Sequence, residues 1–297
     1  MSKSKTTYGG QAVLEGVMIR GARNVTVSVR TPSGQIRTRK KPIHNAFTGQ
    51  FRRMPLIRGV LALSETLYLG MDSLAYSATI ATEEEEEEEP SKWSIGSMIA
   101  FSVAIAIGLF FLLPVIASKP FEGIGESHLI SNVAEGLIRL TIFFIYIVSI
   151  GFMSDIRRVY MYHGAEHMTV HAKEMGDPLI PSAIRNYPTA HPRCGTAFLL
   201  TVMVVAILIF SLIPRDPLWW LITSRIIFLP VIASISYEII RASGQYADNI
   251  AVRLITAPSI WLQGLTTKQP DDSQIEVAIA AMTGAIEADT ESAPLKP

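Results

Sequence analysis

The stretch IGSMIAFSVAIAIGLFFLLPVIA, Ile95 to Ala117, contains 23 residues without a charged side chain. As an α-helix it would be about 35 Å long, enough to cross the roughly 30 Å hydrocarbon core of a bilayer. Hydrophobic residues make up 49% of the whole chain, which is high for a soluble domain. The sequence therefore predicts a membrane protein rather than a soluble protein with buried helices.

Three further hydrophobic segments follow along the chain. Ala197 to Ile213 is a second charge-free run of 17 residues. Glu135 to Met153 and Leu218 to Ile240 are less uniform, because they contain Arg139 and Arg225. Charged residues within a span usually face protein or water. We therefore predict a mostly α polytopic helical membrane protein with about four spans and a small α+β cytoplasmic part.

The distribution of basic residues predicts the orientation of the spans. Thirteen Lys and Arg precede the first span, one follows it, five lie between spans two and three, one precedes the fourth span, and four follow it. Because cytoplasmic segments are enriched in Lys and Arg, both termini and the loop 154–196 are expected in the cytoplasm. The first twenty residues lack the apolar core of a cleaved signal peptide. The expected location is the inner (plasma) membrane, with the lipid bilayer as a partner.

The remaining sequence forms segments on either side of the membrane domain. Val25 to Val29 and Gln35 to Arg39 flank a turn and predict paired strands. Seven consecutive acids, Glu83 to Glu89, are typical of a solvated linker. The predicted organisation is a strand-rich cytoplasmic segment at 1–60, a helix and acidic linker at 61–94, the membrane domain at 95–240, a cytoplasmic segment at 241–286 and a disordered tail at 287–297.

Charge and cysteine content limit the function classes. The 26 basic and 26 acidic residues cancel, so the net charge is uninformative about nucleic acid, and no nucleic-acid partner is predicted. Cys194 is the single cysteine, which excludes an intrachain disulfide. No phosphate-loop lysine follows Gly9 and Gly10, so nucleotide binding is not predicted. No residue specifies a protein partner, a substrate or an oligomeric state.

Three of the six histidines fall within YHGAEHMTVH, residues 162–171. His163, Glu166 and His167 match the pattern H-x-x-E-H, in which two imidazoles bind zinc and the carboxylate activates a water. On a helix these side chains and His171 would share one face. One ion cannot take all three histidines, because His163 and His171 would lie roughly 12 Å apart along the axis.

The remaining ligands must come from other regions of the chain. His191 and Cys194 precede the third span at the same membrane face, and imidazole and thiolate are good zinc ligands. Glu238, at the end of the last span, and Glu15 could supply a carboxylate ligand or support one. The alternatives are an ordinary salt bridge for each glutamate and an unreactive interfacial thiol for the cysteine.

These residues support two main functional hypotheses. The first is a metal-dependent hydrolase at the cytoplasmic membrane face, with zinc held by His163 and His167 and with Glu166 as the catalytic base. The second is a non-catalytic scaffold or accessory factor of a membrane complex, in which a polar or metal cluster is structural. A transporter is a third hypothesis, based on Arg139 and Arg225 within predicted spans.

Four stretches carry a resemblance to a known family. They are GGQAVLEGVMIRG at 9–21, YHGAEH at 162–167, HPRCGT at 191–196 and LTTKQPDD at 265–272. In this order they resemble a YqhQ-like bacterial membrane family, a domain of unknown function. The resemblance covers about residues 8–282 and implies a multi-pass membrane protein, often labelled a predicted metal-dependent enzyme. At Met168 the family commonly has lysine, which does not affect a proposed ligand.

Overall fold

A computed structural model describes residues 8–44, 47, 49, 52, 54–82, 92–122, 128–192, 194–246 and 249–291. These residues are mostly helical with one four-stranded sheet, in agreement with a mostly α fold. The strands are β1 (Gly9–Val13), β2 (Gly16–Arg20), β3 (Asn24–Arg30) and β4 (Ile36–Pro42). They pair antiparallel in chain order, with Gly10 opposite Ile19 and Val27 opposite Arg39. The predicted strands at 25–29 and 35–39 are confirmed.

Eleven α-helices are described: α1 (Ile57–Ala81), α2 (Lys92–Ile107), α3 (Leu113–Ala117), α4 (Leu129–Ile150), α5 (Ser154–Met175), α6 (Pro181–Ile184), α7 (Gly195–Ser211), α8 (Leu218–Ile227), α9 (Leu229–Gln245), α10 (Ile250–Thr266) and α11 (Asp272–Glu291). A π-helical turn, Gly108–Leu112, joins α2 to α3. The first helix begins at Ile57, inside the segment 1–60 that was expected to be strand-rich.

The sheet lies between two helical layers. Successive side chains of a strand point to opposite faces, so β2 contributes Val17 and Ile19 to one face and Met18 to the other. Val17 and Ile19 pack on one face with residues of α5 and α11, including Met168. On the other face, Val25 packs with Leu69 of α1. Helix α5, which carries the histidine motif, is therefore fixed against the sheet by an apolar core.

Two helical segments among the described residues are long and apolar enough to cross a membrane, namely Gly96–Phe121 and Leu129–Ile150. Helices α8 and α9 meet at an angle of 41° and would form a third as a bent pair. Helix α7 is apolar but has 17 residues, whereas a span needs about 20. The described residues thus contain two or three candidate spans, and the predicted number of four is not confirmed.

Helix α10 belongs to the segment 241–286 that was predicted to be cytoplasmic, but it packs against α7 and α4 of the predicted membrane domain. Its Leu262 is completely buried with Phe143 and Leu200. The predicted boundary at residue 241 therefore separates helices that share one apolar core.

The carboxy-terminal helix extends into the tail that was expected to be disordered. Helix α11 continues to Glu291, so the expected disorder is wrong for residues 287–291. The Asp289 carboxylate explains this, because it accepts hydrogen bonds from the backbone N–H groups of Ala22 and Arg23 at 2.7 and 3.1 Å. Residues 292–297 and the acidic run at 83–89 lie outside the described residues.

A buried ion cluster accounts for the charges inside the hydrophobic segments. Glu135 of α4 accepts hydrogen bonds from Arg139 at 2.7 Å, from Arg215 at 2.8 Å and from Arg225 at 3.0 Å. Glu135, Arg215 and Arg225 are each less than 10% exposed. The two arginines that suggested a transporter are therefore paired with a carboxylate that joins α4 to α8.

Candidate metal site

Helix α5 is held close to two other segments at its histidine motif. Tyr162, Ala165 and Met168 are buried in the apolar core, which turns the histidines toward the chain after α6 and the end of α10. Gly164 permits this contact, because a Cβ atom there would lie 2.2 Å from the carbonyl oxygen of Lys268. The helix therefore needs glycine at this position to approach the end of α10.

His163, His167 and Cys194 form the first histidine group. One ligand atom from each lies within 4.8 Å of the others. The Nδ1–H groups of His163 and His167 donate to the carbonyl oxygens of Thr266 at 2.9 Å and Thr189 at 2.6 Å. Because a carbonyl can only accept, these bonds leave the lone pair of each ring on Nε2. This is the arrangement of metal-binding histidines whose other nitrogen is held by a carbonyl.

Cys194 lies at the amino-terminal cap of α7. Its Sγ accepts a hydrogen bond from the Thr196 backbone N–H at 3.4 Å and lies 3.2 Å from His163 Nε2. The thiol can therefore donate its proton to the imidazole lone pair. Burial raises the pKa of the Cys194 thiol, so the sulfur remains protonated unless a cation replaces that proton.

Glu166 lies beside the same group and is 3% exposed. Its Oε2 atom is 3.4 Å from His167 Nε2. Burial raises the pKa of the Glu166 carboxyl to about 8, although His163 and the Gly10 backbone N–H oppose the shift. A cavity of about 30 Å³ adjoins Glu166, His167 and Cys194. Such a cavity has room for one water molecule.

Burial keeps two histidines of this region neutral. Desolvation, with neighbouring imidazoles, lowers the pKa of His167 to about 2 and that of His191 to about 4. A neutral imidazole is the form that binds a metal. These side chains therefore need no deprotonation before they bind at neutral pH.

His171, Glu174 and His191 form a second histidine group, in which one ligand atom from each again lies within 4.8 Å of the others. His191 Nε2 is 3.4 Å from Glu174 Oε2, and the rings of His171 and His191 are 4.5 Å apart. The structure thus brings His191 to His171 and Cys194 to His163. Sequence reasoning had considered either residue as the third ligand of the first pair.

The two other predicted carboxylates lie in ion pairs. Glu238 is bound by the guanidinium of Arg58, and it belongs to neither histidine group. Glu15 accepts from Arg158 and from Tyr162 Oη, the latter at 3.2 Å. It therefore lies against α5, but it contacts Arg158 and Tyr162 of that helix rather than the histidines. The salt-bridge alternative describes both residues.

Sequence reasoning missed the groups that orient the histidines. Backbone carbonyls of Thr189, Ala190 and Thr266 have no residue-type signal, because any residue supplies the same oxygen. Gln263 was detectable as a polar residue in an apolar helix. It is fully buried, and its amide forms two hydrogen bonds with the backbone of His191, at 2.7 and 3.0 Å.

Comparison with known proteins places this site in an uncharacterised family. Residues 54–288 match the family model described as "Protein of unknown function (DUF1385)". The chain is 33% identical over 295 residues to a Bacillus subtilis (strain 168) protein described as "Uncharacterized protein YqhQ", covering 94% of this chain and 92% of that protein. No solved structure matches the chain. The family model includes both histidine groups, and the chain belongs to the DUF1385 family of proteins of unknown function.

Proposed function

We propose that this protein is a zinc-dependent hydrolase at the cytoplasmic face of the inner membrane, with the first histidine group as its metal site. The observation that carries the proposal is the grouping of two anchored imidazoles with one thiol, beside a water-sized cavity that the thiol, the His167 imidazole and the buried Glu166 carboxyl line. His163, His167 and Cys194 would hold the ion, and Glu166 would act on a water.

The donor set suits a buried divalent cation. Imidazole nitrogen and thiolate are common zinc ligands, and three protein ligands with one open position are typical of catalytic zinc. In the metal-free state, Cys194 and Glu166 each hold a proton near the imidazole lone pairs. Loss of both protons would give two negative charges that balance the charge of Zn²⁺. The loaded site would therefore carry no net charge, which lowers the cost of its burial.

The side chains have separable roles in this proposal. A bound zinc ion would act as a Lewis acid and lower the pKa of a water molecule. Glu166, next to the cavity, would accept the proton of that water and return it to the leaving group. The carbonyls of Thr189 and Thr266 would keep the imidazole lone pairs directed at the ion.

The proposed membrane arrangement adds one short span to the three candidate spans that include the bent pair α8 and α9. Helix α7 would be a short fourth span, and the alternation of basic residues would keep both termini and the 154–196 segment in the cytoplasm. The substrate would then be a peptide or a lipid-linked molecule that reaches the membrane surface.

Hydrolysis of chromogenic ester, peptide and phosphoester reporters by the detergent-purified full-length protein tests this function. We expect zinc-dependent hydrolysis of at least one reporter. Glu166→Gln should retain zinc but lose about 10²- to 10⁴-fold in rate, the usual contribution of a general base. Asp155→Asn, which removes a carboxylate from the same helix, should leave the rate unchanged. Zinc binding without hydrolysis of any reporter, in both wild type and Glu166→Gln, would overturn the catalytic role.

The second candidate is a structural metal site in a membrane scaffold. It is favoured by the small size of the cavity and by the segments that meet at the histidines, namely α5, α7, the end of α10 and β1. A metal there would fasten the membrane helices to the sheet, with Glu166 as a fourth ligand that closes the site. In that case Glu166→Gln should weaken zinc binding and thermal stability together.

A further inference from the structure

The second histidine group is not used by the proposed hydrolase. His171 and Glu174 lie three residues apart on α5, so they share a face of the helix. His191 reaches the same face from the loop after α6. These two imidazoles and one carboxylate have the ligand types of the His₂Glu set that binds catalytic zinc.

The neighbours of this group hold His171 by its ring and His191 by its backbone. His171 Nε2–H donates to the Ala190 carbonyl at 2.9 Å, which leaves the lone pair of this ring on Nδ1. The ring also stacks on Tyr187, with an angle of 4° between the planes. His191 is held through its backbone by the buried amide of Gln263. Residues held in this way lose less freedom when a ligand binds, so the group is organised for binding.

The two histidine groups adjoin a single cavity. The rings of His167 and His191, one from each group, are 5.8 Å apart. Both residues line the water-sized cavity together with Glu166 and Cys194. A cation in either group would therefore lie beside the same small space.

From this arrangement we infer that the protein has a second divalent-metal site, formed by His171, Glu174 and His191, so that two zinc ions flank one cavity. The inference rests on the proposed function, in which the first ion occupies the first histidine group. The second ion would be held by nitrogen and oxygen only, with Glu174 as its one anionic ligand. Two cations beside one cavity favour an anionic reacting group there.

Metal analysis of untagged, detergent-purified full-length protein reloaded with zinc chloride tests the second site. We expect two zinc ions per chain in the wild type and one in His171→Ala or Glu174→Gln. We also expect one in His163→Ala, which removes the other ion. Asp155→Asn, a matched loss of one carboxylate from α5, should retain two.

The two proposals fail in different ways. One zinc per chain, lost in His163→Ala and retained in Glu174→Gln, would overturn the second site and leave the proposed function intact. One zinc that is lost in Glu174→Gln but retained in His163→Ala would support the second site and refute the first. Zinc in none of the proteins would overturn both.

Cobalt(II) titration of the wild type distinguishes the two metal sites without a variant that must fold. The first ion has a thiolate ligand and should produce a near-ultraviolet sulfur-to-cobalt charge-transfer band. The second has none and should add only weak visible absorption. Two equivalents of bound cobalt, only one of which produces the thiolate band, would support the inference, whereas saturation of all absorption at one equivalent would contradict it.

Discussion

At the scale of single residues, burial keeps the two acidic groups of the site protonated in the absence of a metal. Glu166 and Cys194 are both buried and both have a raised pKa. His167 is held neutral by the same desolvation. Without a metal, the site avoids charge by keeping its acids protonated and its imidazole neutral. A cation would reverse this preference for the acids, so metal and protons compete for the same atoms.

The raised pKa of Glu166 predicts that the stability of the metal-free protein depends on pH. The carboxyl of Glu166 has an ordinary pKa of 4.5 and a folded pKa of about 8. Its contribution to stability is complete below pH 4.5 and is lost as the pH rises toward 8, because the unfolded chain ionises first. Relative to the wild type, Glu166→Gln should therefore become more stable by a few kcal/mol as the pH rises from about 5 to about 8.5.

Thermal denaturation of chelator-treated protein at several pH values measures this effect. The buried imidazole of His167 acts in the opposite direction, since its stabilising contribution is complete above its ordinary pKa of 6.5 and is lost as the pH falls toward about 2. Both proteins lose the contribution of His167 at low pH. The difference between their stabilities therefore reports the ionisation of Glu166. Curves for the wild type and Glu166→Gln that remain parallel over this pH range would contradict the burial of an ionisable carboxyl.

At the scale of secondary-structure elements, buried ion pairs join two of the apolar helices, α4 and α8. The Glu135 carboxylate accepts hydrogen bonds from three arginines. One belongs to α4 itself, one to the chain between α7 and α8, and one to α8. Removal of one partner from a buried ion pair leaves the others without a counterion, which is more costly than loss of an exposed pair. The cluster thus links α4 to α8 through buried ion pairs.

We predict that Glu135→Gln destabilises the protein by roughly 3–5 kcal/mol, the range for breaking a buried pair. Thermal unfolding in detergent measures the loss. Glu276→Gln is the matched control, because Glu276 is half exposed in its pair with Arg30 and such surface pairs contribute about 0–1 kcal/mol. Equal unfolding temperatures for the two variants would show that the cluster does not stabilise the helices.

The sequence could predict the secondary structure around the site better than the contacts between its elements. The spacing of His163 and His167 places both rings on one face of a helix, and the strand patterns at 25–29 and 35–39 predict the hairpin correctly. Cys194 lies beside His163 because of where α7 begins in the tertiary structure, and no local sequence pattern encodes that position. Glu238 is bound by Arg58, a residue 180 positions away in the sequence, so its exclusion required the tertiary structure.

At the scale of the whole molecule, the sheet and its covering helices form a body beside the apolar helices. The first histidine group lies at their junction, because Cys194 begins α7 while His163 belongs to α5. The site therefore depends on contact between these two regions of the protein. Its position supports a function at the membrane surface, on the side that the basic residues predict to be cytoplasmic.

Cysteine labelling in intact spheroplasts tests that orientation. Met175 at the end of α5 is 72% exposed, and the side chain of Asp216 after α7 is 85% exposed. Met175→Cys should react with a membrane-impermeant maleimide only after permeabilisation, whereas Asp216→Cys should react in intact spheroplasts. The wild type, whose buried Cys194 is 7% exposed, provides the background. Reaction of Met175→Cys in intact spheroplasts would refute the cytoplasmic location of the site.

X-ray absorption spectroscopy of the zinc-loaded, untagged protein tests the central claim most directly, because it reports the atoms bound to the metal. With His163, His167 and Cys194 as ligands, the zinc spectrum should contain a sulfur shell at about 2.3 Å and nitrogen at about 2.0–2.1 Å. Cys194→Ser should remove the sulfur shell, and His167→Ala should lower the bound zinc. A wild-type spectrum with only nitrogen and oxygen neighbours, or a protein that binds no zinc, would contradict a metal site in the first histidine group.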